Sequence, residues 1–275
     1  MLLNRKMIGR LAKYAIICAV AVVSLAVVVI VPTLANDGEA EQVKAQKLWE
    51  GSIAAKGGRE QLRSIRSLYI QGEFKGADDR SYDLYVFPDR SFGYFYWAAA
   101  YERTDVTIYN GKRNISWWQE GNNTAHVQRD TETAVDLMKK AELTLLLVTQ
   151  WLEPKALRAR RDWVGLKRVD VVETDVNGWH VDYYLDSKTK LPVKLQYGYS
   201  KIERAKGEMN RVVELYDYRL VSGVMMPHRL VYSFTDGPER SDQRVTYELN
   251  VDYDEQIFEN PPTPRMKPDS WRRTA

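Results

Sequence analysis

From Ala45 the apolar positions recur at helical spacing, with Ala45, Leu48, Trp49, Ser52 and Ile53 on one face, and this predicts an amphipathic helix. After the linking stretch "AAKGGREQLRSIRS" the period falls to two. Leu68, Ile70, Gly72 and Phe74 alternate with Tyr69, Gln71, Glu73 and Lys75, as expected of a strand with one covered face. Short alternating runs then follow, each closed by turn chemistry: "SYDLYVF" by Pro88-Asp89, "TDVTIY" by Asn110-Gly111, "ISWWQ" by Gly121-Asn122-Asn123. Asn177-Gly178 and Asp236-Gly237 supply further turns. Two-residue loops of this kind match the twist of antiparallel hairpins.

"WHVDYYLD" is the clearest strand, with Trp179, Val181, Tyr183 and Leu185 opposed to His180, Asp182, Tyr184 and Asp186. "PVKLQYGYS", "VVELYDYRLV", "HRLVYSF" and "RVTYELNVDY" continue the series to roughly a dozen strands, more than an open sheet carries without curling. One interruption, Asp130 to Leu152, is helical: Ala134, Met138, Ala141, Leu145, Val148 and Leu152 form a stripe widened by Leu143, Leu146 and Leu147. Asp130 suits its cap and Pro154 its stop. The expected fold class is α+β, mainly antiparallel β, a sheet curling into a barrel or part of one. Two apolar helix faces, around Trp49 and within 130–152, are offered to its inner side. Alternation puts Ile70, Leu84, Val86, Val181, Tyr183 and Leu185 on that inner face, with Leu145, Val148 and Leu152 closing it. The alternative is a helix-on-sheet core filled by side chains.

The first 35 residues stand apart. Arg5, Lys6, Arg10 and Lys13 precede an uncharged run from Ala15 to Val31, which marks an export signal or, uncleaved, an inner-membrane anchor. Thr33 and Ala35 resemble a cleavage site. Either way the remainder is exported. Removing those four cations from the total of 40 leaves 36 basic against 37 acidic residues, so nothing electrostatic points to nucleic acid. Cys18, the single cysteine, falls within the apolar run, so the exported part has no disulfide and depends on its core. Residues 36–262 suffice for one domain, and the proline-rich 263–275 reads as a disordered tail.

Catalytic signals are thin. His126, His180 and His228 are the only histidines and are scattered; no metal-site, nucleophile-elbow or phosphate-loop motif is present. No metal or other cofactor is expected. Asp78-Asp79 reads as a solvated turn. "LRARRDW", Leu157 to Trp163, reads as a solvated linker, or else as a docking point for anionic headgroups or an acidic partner surface. Asn114 and Asn122 open glycosylation patterns that matter only in a eukaryotic secretory pathway.

The order of features resembles the outer-membrane lipoprotein-sorting, LolA-like proteins of the bacterial envelope. The resemblance is carried by "AKGGREQLRSIRSLYIQGEF", "YNGKRNISWW", "YLDSKTKLPVKLQYGY", "YDYRLVSGVMMPHRLVYSF" and "YELNVDYDEQIFENPP" in that order. It implies a LolA/LppX-like incomplete, half-open β-barrel with a helical lid. It also implies a non-enzymatic, monomeric periplasmic carrier of lipoprotein acyl chains or free lipid, exchanging cargo with inner- or outer-membrane donor and acceptor proteins. Rival readings are a lipoprotein-sensing interaction module, favoured by an uncleaved anchor at 15–31, and an envelope hydrolase with His126 or His228 as base.

Overall fold

The computed structural model describes residues 38–76, 80–87, 89, 91–98, 103–113, 115–121, 126–128, 155–176, 179–198, 211–235 and 237–262; for 103–104, 126–128, 176, 179 and 255 the backbone alone. The chain divides into two compact units, residues 1–44 and 45–275, and the sheet lies in the second. The leader, the expected helix at 130–152 and the tail at 263–275 fall outside the described residues.

The helix expected around Trp49 runs through residues 38–55 (α1). Its apolar face is the buried one: Ala45, Trp49, Ser52 and Ile53 are all under 5% exposed. The helix ends where Gly57 takes a φ of 123°, a conformation that costs glycine nothing and other residues a good deal. A Cβ there would also sit 2.3 Å from the Gly223 carbonyl oxygen. A short helix, α2 (Arg59–Arg63), leads into the sheet.

The described residues form thirteen strands in one antiparallel sheet. They are β1 (Leu68–Phe74), β2 (Arg80–Val86), β3 (Phe92–Ala98), β4 (Arg103–Asn110), β5 (Ile115–Glu120), β6 (His126–Gln128), β7 (Lys155–Val164), β8 (Lys167–Val176), β9 (Trp179–Asp186), β10 (Pro192–Tyr197), β11 (Arg211–Val221), β12 (Val224–Phe234) and β13 (Arg240–Leu249). Their spatial order is 6-5-4-3-2-1-13-12-11-10-9-8-7. Among the described residues the only strand pairing between the two meanders, β1–β6 and β7–β13, is that of β1 with β13, from Leu68 opposite Leu249 to Phe74 opposite Gln243. The outer strands β6 and β7 remain edges, so the sheet is not closed.

Register lines up the inward side chains in rows. Tyr94, Leu84, Ile70 and Tyr247 stand opposite one another across β3, β2, β1 and β13. Val172, Tyr183, Leu195, Val213 and Tyr232 do so across β8 to β12. Both rows belong to a single apolar cluster that also holds Trp49 and Ile53 of α1. Strands from both halves of the sheet meet around one helix only if the sheet curls, with α1 in its concavity. The convex side of β1–β5 has its own cluster, Tyr69, Tyr85, Phe87, Phe95, Val106, Ile108 and Trp117. It is covered by a C-terminal strap containing Tyr253, Ile257 and Phe258, the latter two in a 3-10 turn (Glu255–Phe258).

The stretch Leu157–Trp163 is not a linker. It is most of β7, an edge strand paired along its length with β8.

Candidate functional site

Trp49, Ile70, Val86, Val181, Tyr183 and Leu185 lie in the concave cluster, and Leu84 packs against it. Leu145, Val148 and Leu152 lie outside the described residues. The two halves of the concave face differ. Over β9–β12 it is filled by α1, whose Trp49 ring meets Tyr183 edge-on at 4.9 Å; just beyond the helix the Met225 amide donates to the Lys56 carbonyl at 3.0 Å, and Gln61 Nε2 of α2 donates to the Ser222 carbonyl at 2.7 Å. That half is close-packed core.

Over β1–β3 the concave face is tiled with aromatic rings instead. Phe74 meets Tyr82 at 5.6 Å and Tyr96 at 6.1 Å, both edge-on, and Tyr82 lies 5.5 Å from Tyr94. Phe74, Leu84, Tyr94 and Tyr96, with Tyr232 opposite on β12, are only half-buried. The tile depends on Gly72. Its Cβ, if present, would lie 2.1 Å from the Tyr82 ring, which crosses β1 at that point to place its hydroxyl 3.0 Å from Gln243 Oε1 on β13. Burial pushes the phenols of Tyr82 and Tyr94 well above their ordinary range, so they stay neutral. The result is an apolar surface bearing hydroxyls. Sequence reasoning missed Tyr94 and Tyr96 because β3, "FGYFYWA", is aromatic on both faces and so shows no alternation of polarity.

Two polar arrangements lie off the concave face. Beyond Arg229 opposite Arg244, the β12–β13 register is not continued. There, on the outer side, a groove of about 860 Å³ is lined by polar residues including Glu73, Asp83, Arg219, Arg229 and Arg244. Its charges are mixed and largely tied: Arg229 holds Asp242 through two contacts of 2.9 and 2.7 Å, and Arg219 holds Asp217 at 2.5 Å. His228 opens on it, edge-on to Tyr247 at 5.3 Å. Burial and then Arg219 keep its ring below the ordinary value. Arg160 of β7 anchors the second arrangement, reaching Asp162 at 2.6 Å, Asp182 at 2.9 Å, Glu173 at 3.2 Å and the Tyr184 hydroxyl at 3.2 Å. His180 lies beside it, 3.2 Å from Asp182, whose carboxylate holds the ring above its ordinary value. Of His126 only the backbone is described. Among the described residues no three His, Cys, Asp or Glu side chains gather closely enough to hold a metal ion.

No protein-family profile and no curated protein matches the chain. Among solved structures, a DUF1329 family protein from Desulfovibrio piger is similar at 9% identity and a TM-score of 0.51. The likeness covers 78% of this chain and 97% of that one. A LolA superfamily protein, NE2245 from Nitrosomonas europaea, is similar at 15% identity and a TM-score of 0.48, over 75% and 96% of the two chains. At 9% identity the Desulfovibrio likeness shows the fold alone. The unclosed antiparallel sheet curled around a helix is the incomplete barrel that the alternating runs lead one to expect.

Proposed function

We propose that this chain is an exported, non-enzymatic lipid-binding protein that holds acyl chains of a lipoprotein or a free lipid against the aromatic half of its concave face. The observation that carries this reading is the contrast between the two halves. One is packed by α1, whereas the other presents Phe74, Leu84, Tyr94 and Tyr96 half-buried on a curled, unclosed sheet. Each methylene moved from water onto such a surface contributes roughly 0.8 kcal/mol, so one acyl chain gives useful affinity with no catalytic group. Tyrosine hydroxyls at the rim of an apolar surface suit the ester and headgroup end of a lipid. The reading of the leader as an export signal, which would bring the chain to the envelope, supports a cargo of this kind.

The test is mass spectrometry of the full chain purified from a bacterial envelope, under native and then denaturing conditions, beside the variant Leu84→Glu. Leu84 is half-buried, so the charge is expected to cost no more than about 1–2 kcal/mol of stability while displacing cargo. A stoichiometric lipid in the wild type, reduced at least several-fold in the variant, supports the reading. A bare protein that also refuses added phospholipid overturns it.

A further inference from the structure

The turn between β7 and β8 projects apolar side chains that nothing in the sheet uses. Val164 and Lys167 are paired, and Gly165, with a φ of 58°, and Leu166 make the two-residue loop between them. Leu166 is 96% exposed and Trp163, the residue before Val164, 63%. These are large side chains to leave in water at the tip of a hairpin. A scattered surface leucine needs no explanation, but here a tryptophan and a leucine flank one tight turn.

Cations surround them. Arg161, Lys167 and Arg168 are exposed. The neighbouring β9–β10 turn is tied alongside by Ser187 Oγ, which donates to the Arg168 carbonyl at 3.2 Å, and adds exposed Lys188. The acids of this end are largely engaged elsewhere. Asp162 pairs with Arg160 at 2.6 Å and accepts from the Trp163 amide at 2.8 Å. Asp170 pairs with Lys190 at 2.8 Å and more loosely with the exposed Arg161 at 4.0 Å. Asp186 accepts from the amides of Lys188 and Thr189. Lys167, Arg168 and Lys188 form no ion pair within 4 Å among the described residues, although Asp186 feels the charge of Lys167, so cations outnumber acids around the apolar tip.

We propose that the β7–β8 tip docks this protein on a membrane, seating Trp163 and Leu166 in the interface of a bilayer that contains anionic phospholipid, with Arg161, Lys167, Arg168 and Lys188 against the headgroup phosphates. Tryptophan favours the interfacial layer, and anionic leaflets attract basic segments that lie beside buried apolar groups. A second copy of the chain fits less well. The edge strand β7 carries Lys155, Arg158 and Arg161 exposed, and like charges along an edge oppose edge-to-edge pairing. The proposal goes beyond the cargo reading and stands whether or not the concave face holds lipid.

The apolar run at 15–31, if retained, would itself bind a bilayer, so the readout must be local to the tip. The full chain is mixed with vesicles of acyl-brominated phosphatidylcholine, with or without phosphatidylglycerol, and the quenching of tryptophan emission is compared with that of Trp163→Phe. Eight tryptophans are present, and the difference between the two proteins isolates Trp163. A Trp163 component quenched in phosphatidylglycerol vesicles, lowered several-fold by salt and by Lys167→Glu/Arg168→Glu, is the expected result. The variants should melt with the wild type, because the side chains changed are exposed. Equal quenching in wild type and Trp163→Phe overturns the proposal, as does a Trp163 component indifferent to phosphatidylglycerol. A dimer in sedimentation velocity that Leu166→Ser abolishes also overturns it, since a second copy would then cover the tip.

Discussion

Lys56 is a lysine with no exposed surface, at the end of α1 where the chain passes over the β11–β12 turn. Burial alone lowers its amine from the ordinary 10.5 to about 7, because a low-dielectric surrounding penalises the charged form. Between these two values the unfolded chain binds a proton that the folded chain does not. Stability therefore rises with pH across that window and is flat below it. Lys56→Met removes the charge and keeps the length. The variant is expected to be more stable than the wild type below pH 7, and its advantage to shrink steadily toward pH 10. At roughly 1.4 kcal/mol per unit the effect is at most on the order of 5 kcal/mol. Urea denaturation of both proteins at several pH values reads the difference. A difference independent of pH would mean that the amine reaches solvent.

At the scale of elements, β7 shows what could be read from the residues and what could not. α1 was legible because its one covered face repeats at helical spacing, with Trp49 and Ile53 at its centre. β7 was not, because a register shift between Ala156 and Arg158 puts its two buried residues, Ala156 and Ala159, three positions apart. A period of two is lost, and arginines fill the rest. The convex side of β1–β5 was hidden for another reason: Tyr85, Phe95 and Ile108 are covered by a strap from the far end of the chain, so these strands are apolar on both faces. The strap is held by its rings, with Phe87 lying 3.8 Å from Tyr253 and 5.2 Å from Phe258. It is also held by Asn110 Nδ2, which donates to the Phe258 carbonyl at 3.0 Å. Phe258→Ala empties the centre of that contact and is expected to cost about 3–5 kcal/mol in denaturant unfolding. It should also bind an apolar dye at the uncovered face. A loss below about 1 kcal/mol would mean that the strap adds little to the fold.

For the whole molecule, the strand order sets how the sheet is assembled. Among the described residues every strand pairing except one joins strands that follow each other in sequence, and the exception, β1 with β13, is the only strand pairing between the two meanders. Leu68 faces Leu249 there, so making the seam closes a loop of most of the chain before any contact repays the entropy. Hairpin contacts such as Val213 opposite Tyr232 close short loops. The seam is therefore expected to form after the folding transition state. Val245, 2% exposed and opposite Gly72 in the seam, and Val213, wholly buried within the β9–β12 meander, provide a matched pair. Each change to alanine is expected to cost about 1–3 kcal/mol. In stopped-flow chevrons Val245→Ala should speed unfolding and leave folding nearly unchanged, whereas Val213→Ala should slow folding. The opposite assignment would mean that the two ends of the chain meet first and that the meanders grow outward from the seam.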